Sequence, residues 1–145
     1  MSIHEVYIYL RAKKAEKAIA FYKDVFGATE KFRLVGPGGR IGHIELSIGD
    51  TVIMLSDEFP EFGIHAPDPE VPSGISIHLH VDDADALITK CAEAGATIVR
   101  EAADQFYGER SGTIRDPFGY SWIIGHSIEE VEPEEMQHRY DAMGS

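Results

Sequence analysis

The tripeptide Gly27-Ala28-Thr29 returns as Gly95-Ala96-Thr97, each time closing a helix-like stretch that follows a strand-like one, at an offset of 68 residues. Two copies of a unit this long indicate paired supersecondary modules. A solenoid is excluded, because it needs about three or more stacked repeats to bury its faces.

In the first module, Val6 to Leu10 is β-branched and aromatic and predicts a strand. Ala15 to Phe26 then sets Ala18, Ile19, Tyr22, Val25 and Phe26 at helical spacing, and Gly27 is the natural stop. Strands follow near residues 30–35, 41–48 and 51–56, with Gly36-Pro37-Gly38-Gly39 and Gly49-Asp50 as turns. The second module repeats the order: a strand at 74–81, a helix at 83–94 capped by Asp82 or Asp83, and strands near 97–101, 112–115 and 121–126. The expected organisation is a βαβββ module at 1–58, a Pro- and Gly-rich linker at 59–73, a second βαβββ module at 74–127 and an acidic tail at 128–145. The fold class is therefore α+β. Four strands under one helix leave a bare sheet face, so two such sheets are expected to curl into an open, barrel-like cleft where a ligand would lie.

Alternation sorts the side chains. Ile44, Leu46 and Ile48 oppose His43, Glu45 and Ser47, while Ile75, Ile77, Leu79 and Val81 oppose Ser76, His78 and His80. The apolar rows should meet the helices. The polar rows, with Tyr7 and Tyr9, should line the ligand side, and Trp122 should be core.

Bulk properties narrow the partners. A chain of 145 residues with 43% hydrophobic and 26% charged residues can fold without staples. A formal charge of -12 argues against nucleic acid, whose binding depends on Lys and Arg. Part of the acidity is local: residues 129–135 hold five carboxylates and read as a solvated segment. The single Cys91 forms no intrachain disulfide and sits in a helical, structural setting. With no basic n-region ahead of an apolar h-region and no apolar run of membrane length, a cytoplasmic protein without membrane contact is expected.

The run Ala18 to Gly27, AIAFYKDVFG, and the turn Asp116 to Tyr120, DPFGY, resemble motifs of the vicinal oxygen chelate superfamily of glyoxalases, bleomycin-resistance proteins and extradiol dioxygenases, over residues 4–127. Gly42 to Leu46, Gln105 to Gly112 and Glu132 to Met136 are similar to its PhnB-like branch. The resemblance implies paired βαβββ modules and a homodimer. It also implies, in metal-dependent members, one ligand from the first and one from the last strand of each module. Those positions fall at Tyr7, Met54, Ser76 and Ile123, none a good divalent-metal ligand, so no cofactor is expected at the family's site.

His43, Glu45, His78 and His80 stand apart from that set. They could gather a metal in another arrangement, line a ligand pocket, or simply face solvent. Glu45 is the candidate general base, with an ion pair to Arg115 as the plainer alternative. Tyr7, Tyr9, His43, Ser76, His78, His80, Tyr107 and Arg115 are the candidate ligand-binding residues. Tyr107 lies on a loop, 104–111, of the kind that carries specificity. The leading expectation is a metal-independent binder that sequesters a toxic or aromatic small molecule. The alternative is a lyase or isomerase acting on an oxygen-rich substrate, with a divalent metal an option.

Overall fold

The computed structural model describes residues 1–144 and divides the chain into two compact units, Met1–Val71 and the residues from Pro72 onward. Each unit is a βαβββ module, and among the described residues no helix is long and apolar enough to cross a membrane.

In unit 1 the elements are β1 (Ile8–Ala12), α1 (Ala15–Phe26), β2 (Thr29–Val35), β3 (Ile41–Ile48) and β4 (Thr51–Asp57). The sheet order is β1-β4-β3-β2, with β1 parallel to β4 and the remaining pairs antiparallel. The amphipathic helix α1 buries Ala15, Ala18, Ile19, Phe21, Tyr22 and Val25. These meet Leu10, Ala12, Ile44, Leu46, Ile53 and Leu55, which alternation places on one face of the sheet. The start of α1 has no side-chain cap of its own. Asp57, at the end of β4, supplies one: its Oδ1 accepts from the Ala15 amide at 2.8 Å and its Oδ2 from the Ile41 amide at 2.7 Å. Gly27, at φ 66°, ends the helix in the left-handed region and donates its amide to the Tyr22 carbonyl.

Unit 2 repeats the plan with β5 (Ser76–His80), α2 (Ala84–Glu93), β6 (Thr97–Asp104), β7 (Glu109–Arg115) and β8 (Ser121–Ser127), in sheet order β5-β8-β7-β6. Asp83 caps α2 by accepting from the Ala86 amide at 3.1 Å. The helix sits close on its sheet because Gly112 has no side chain: a Cβ there would lie 2.8 Å from Ile88 Cδ1 and 2.7 Å from the Arg100 carbonyl. Asp116 of the DPFGY turn is buried with its carboxylate satisfied. Its Oδ1 accepts from the amides of Phe118 and Tyr120 at 2.9 and 3.0 Å, and its Oδ2 from Trp122 Nε1 at 2.8 Å. Trp122 is accordingly core, as alternation predicted.

Four boundaries move from their expected places. The first strand begins at Ile8 rather than Val6, which is 85% exposed. Ile75, assigned to the helix-facing row, precedes β5 and is exposed. The predicted loop 104–111 is half strand, since β6 runs to Asp104 and β7 starts at Glu109, leaving a tight hairpin in which the Gln105 amide donates to the Glu109 carbonyl at 2.7 Å. The acidic tail, read as a solvated segment, carries a further helix, α3 (Pro133–Ala142). Arg139 anchors it by donating to the Phe106 carbonyl at 3.0 Å while pairing with Glu129 and Glu135, and Tyr140 packs on Phe106.

Candidate functional site

In unit 1 the sheet face opposite α1 gathers Tyr9 and Arg11 from β1, His43 and Glu45 from β3 and Phe32 from β2. Register explains the grouping: Tyr9 pairs with Met54, Met54 with Glu45, and Glu45 with Phe32, so four strands bring these side chains to one stripe. The polar members form a chain. His43 Nε2 lies 3.1 Å from Glu45 Oε2, so that nitrogen carries the proton and donates to the carboxylate. Nδ1 is then the acceptor for the Tyr9 hydroxyl, 2.7 Å away. The aromatic members form a patch on the same stripe: the Tyr9 and Phe32 rings lie 5.4 and 5.6 Å from the His43 ring, and the Arg11 guanidinium stands 4.0 Å over the Tyr9 ring. Tyr9 and Phe32 are 38% and 46% exposed, so both rings can be reached from solvent, Tyr9 on the side away from Arg11. Tyr7 is exposed as well and hydrogen-bonds Glu5, which raises its phenol pKa, with desolvation and the nearby charges of Glu5 and Glu45 adding to the effect. Phe32 escaped the sequence reading because β2 changes register on either side of it and shows no clean alternation.

In unit 2 the face opposite α2 gathers His78 and His80 from β5 and Glu109 from β7. The two imidazoles, an i, i+2 pair on one strand, have ring centroids 5.0 Å apart at 66°. Glu109 reaches them across the intervening strand. His80 pairs in register with Gly125 of β8, and Gly125 pairs with Ser111 of β7, so the bare backbone at 125 lies beneath the Glu109 carboxylate. A Cβ at Gly125 would sit 2.9 Å from Glu109 Oε1. Glu109 Oε2 accepts from His80 Nε2 at 2.8 Å. Oε1 is out of solvent without a hydrogen bond, and His78 Nε2 stands 3.4 Å away. An oxygen left so costs about 1–3 kcal/mol unless something else satisfies it. His78, His80 and Glu109 thus hold three donor atoms within 4.8 Å of one another. The sequence alone places Glu109 in the 104–111 loop. Counting β7 back from buried Ile114 through Gly112 to Arg110 would have put Glu109 on the histidine side.

The other predicted residues play local roles. Ser76 Oγ donates to Ser121 Oγ at 3.2 Å across β5 and β8. Tyr107 is half-buried in the β6-β7 hairpin, its hydroxyl 3.2 Å from Ser111 Oγ and its ring edge-on to Phe106, so it braces the hairpin. Arg115 ends β7, opposite Thr97 and Ser121. Glu45 has His43 as its hydrogen-bond partner within unit 1, and Cys91 is buried in α2 with its thiol pushed up to about 11 by desolvation, which makes it a structural group. A concavity of about 350 Å³ in unit 1 lies at the start of α1 among Lys13, Lys14, Lys17, Arg40 and Glu58, away from every predicted site residue.

Residues 4–124 match the family model of the Glyoxalase/Bleomycin resistance protein/Dioxygenase superfamily. An uncharacterised protein of Mycobacterium bovis is 38% identical over 133 residues, covering 90% of this chain and 88% of that protein. The crystal structure of an Arabidopsis thaliana gene product superposes with a TM-score of 0.67 at 26% identity, over 86% of this chain and 98% of the other. A PhnB protein of Bacillus cereus shares the fold with a TM-score of 0.70 at 17% identity, over 86% of this chain and all of its own.

Proposed function

The chain belongs to the glyoxalase, bleomycin resistance protein and dioxygenase superfamily, and we propose that within it this protein binds a planar, oxygen-bearing aromatic compound against the open stripe of unit 1 and so sequesters it. The observation that carries this reading is the exposed patch of Tyr9, Phe32 and His43, crowned by Arg11, with Glu45 at its edge. Rings of this kind stack on a flat ligand, while the imidazole, carboxylate and phenols supply hydrogen bonds to its rim.

Metal chelation at the superfamily's four positions does not fit these residues. Tyr7, Met54, Ser76 and Ile123 offer a phenol, a thioether, a hydroxyl and a hydrocarbon, and a shift of one residue along the strand would exchange Met54 for Ile53 or Leu55 and Ile123 for Ile124, which adds no donor. Capture by side chains alone is the mode the donor chemistry supports.

Titration with 2,3-dihydroxynaphthalene, a flat ring with two rim hydroxyls, tests the reading by calorimetry. Binding should weaken about tenfold or more in Tyr9→Ala and in Phe32→Ala, the range of a lost stacking partner. Unchanged affinity in both variants would end the proposal.

A second reading is favoured by the Tyr9-His43-Glu45 chain, which is built to move a proton. With the Nε2 proton directed at the carboxylate, the Nδ1 lone pair faces the Tyr9 hydroxyl, and that phenol is open to a substrate. A lyase or isomerase would use it to take the proton beside a carbonyl. Deuterium uptake from D2O by acetoin, seen with the wild-type protein and lost in a Glu45→Gln variant that still folds by circular dichroism, would establish that reading over simple sequestration.

A further inference from the structure

We propose that unit 2 carries a divalent metal site made by His78 Nε2, His80 Nε2 and Glu109, independent of the ligand stripe of unit 1 and outside the strand positions from which the superfamily draws its ligand set. Glu109 comes from the third strand of its module, β7, and both imidazoles come from the first, β5.

Three features of the geometry support it. The donors are already close to coordination spacing: Glu109 Oε2 lies 2.8 Å from His80 Nε2 and Oε1 3.4 Å from His78 Nε2. Bonds of about 2.0–2.2 Å to one ion put neighbouring donors roughly 3–3.5 Å apart. Next, Glu109 Oε1 is shielded from solvent and lacks a hydrogen bond, although two imidazoles stand beside it. A cation is the partner that would satisfy that oxygen and both ring nitrogens at once. Finally, the site is held from below. Gly125 leaves the carboxylate its berth on the sheet, and any side chain there would meet Oε1 at 2.9 Å.

The chemistry of the donor set selects the ion. Two neutral imidazoles and one carboxylate suit first-row divalent ions such as Zn2+, Ni2+ or Fe2+, and disfavour Mg2+ and Ca2+, which take all-oxygen shells. His78 and His80 are 42% and 64% exposed in their side chains. The remaining coordination positions therefore face solvent, open to water or to two oxygens of a ligand. The alternative, a plain ion pair between protonated histidine and Glu109, binds no metal.

The experiment uses the full chain, stripped with chelator and titrated with Zn2+ alone by calorimetry, and with Co2+ followed by its visible absorption. The expected result is one equivalent bound, with a Co2+ spectrum of mixed nitrogen and oxygen ligation. Affinity should fall at least a hundredfold in His80→Ala and in Glu109→Gln and at least tenfold in Gly125→Ala, with no change in His138→Ala, which removes an exposed histidine on α3. Should a variant fail to fold, the wild-type protein still decides. Zn2+ must protect His78 and His80 from diethylpyrocarbonate while leaving His138 reactive, as mapped by mass spectrometry. Absence of stoichiometric binding, binding that survives both His80→Ala and Glu109→Gln, or equal reactivity of the three histidines with and without Zn2+ would each overturn the site.

Discussion

Units 1 and 2 are built alike where a helix covers the sheet and unlike where it does not. Both bury an amphipathic helix on the apolar rows of a β-β-β-β sheet with the same strand order, and both use one aspartate near the C-terminal half of the module to tie loose backbone down. The open faces have diverged. Unit 1 presents rings and a hydrogen-bonded chain, and unit 2 presents two imidazoles and a carboxylate. Packing constrains the covered face at nearly every position, whereas the open face is free to acquire chemistry so long as the strands keep their register. Duplication of a scaffold therefore need not duplicate a site.

The strongest way to break the comparison is to attack the part in which unit 2 differs within its core. Trp122→Ala should cost about 3–5 kcal/mol in urea unfolding, the range for a deleted core aromatic, and it also strips Asp116 Oδ2 of its indole donor. A loss under about 1 kcal/mol would show that the DPFGY turn does not depend on the indole. In unit 1 the matching device is Asp57, whose removal leaves the amides of Ala15 and Ile41 without their carboxylate. Asp57→Ala should cost about 2 kcal/mol and should shorten α1 at its start, read by amide hydrogen exchange at residues 15–18.

The smallest effect is acid sensitivity, and it sharpens the comparison by sign. Arg33 holds the Glu30 carboxyl down to about 2, and Arg40 holds Glu61 equally low, both in unit 1. Arg139 lowers Glu129 and Glu135 in unit 2. Carboxyls whose folded-state pKa lies below the unfolded value of about 4.3 add stability that is complete above that pH and is lost as pH falls toward the folded value. Melting temperature should thus be insensitive to these groups from pH 7 to 5 and should decline from about pH 4.5 to 2. Arg33→Gln should flatten part of that decline. Salt at about 0.5 M, roughly threefold above physiological strength, should shrink it, because these pairs lie at the surface. A decline that ignores both changes would place the acid response elsewhere.

How much of this was legible beforehand differs between the two faces. The repeat and helical spacing set α1 at its observed bounds, and β3 as well, because one-sided burial writes a strict period into the chain. Tyr9, His43 and Glu45 were readable as companions for the same reason. Glu109 was not, since Gln105-Phe106-Tyr107-Gly108 looks like a long loop and the hairpin it forms is much tighter. Phe32 was hidden by bulges in β2, and α3 by a run of carboxylates whose one organising cation, Arg139, finds its partners only in three dimensions. Periodicity reports what a segment buries; it is silent on which distant backbone atom a side chain will reach.

Gly125 carries that lesson furthest. In a pleated sheet, side chains speak mainly to their immediate strand neighbours, and β5 and β7 are not neighbours. The methyl-sized gap at 125 lets an acid on one strand serve the imidazoles two strands away. The contact between His80 and Glu109 is thereby written at a residue with no functional group at all, and a survey that scored only acids, bases and nucleophiles would pass over it.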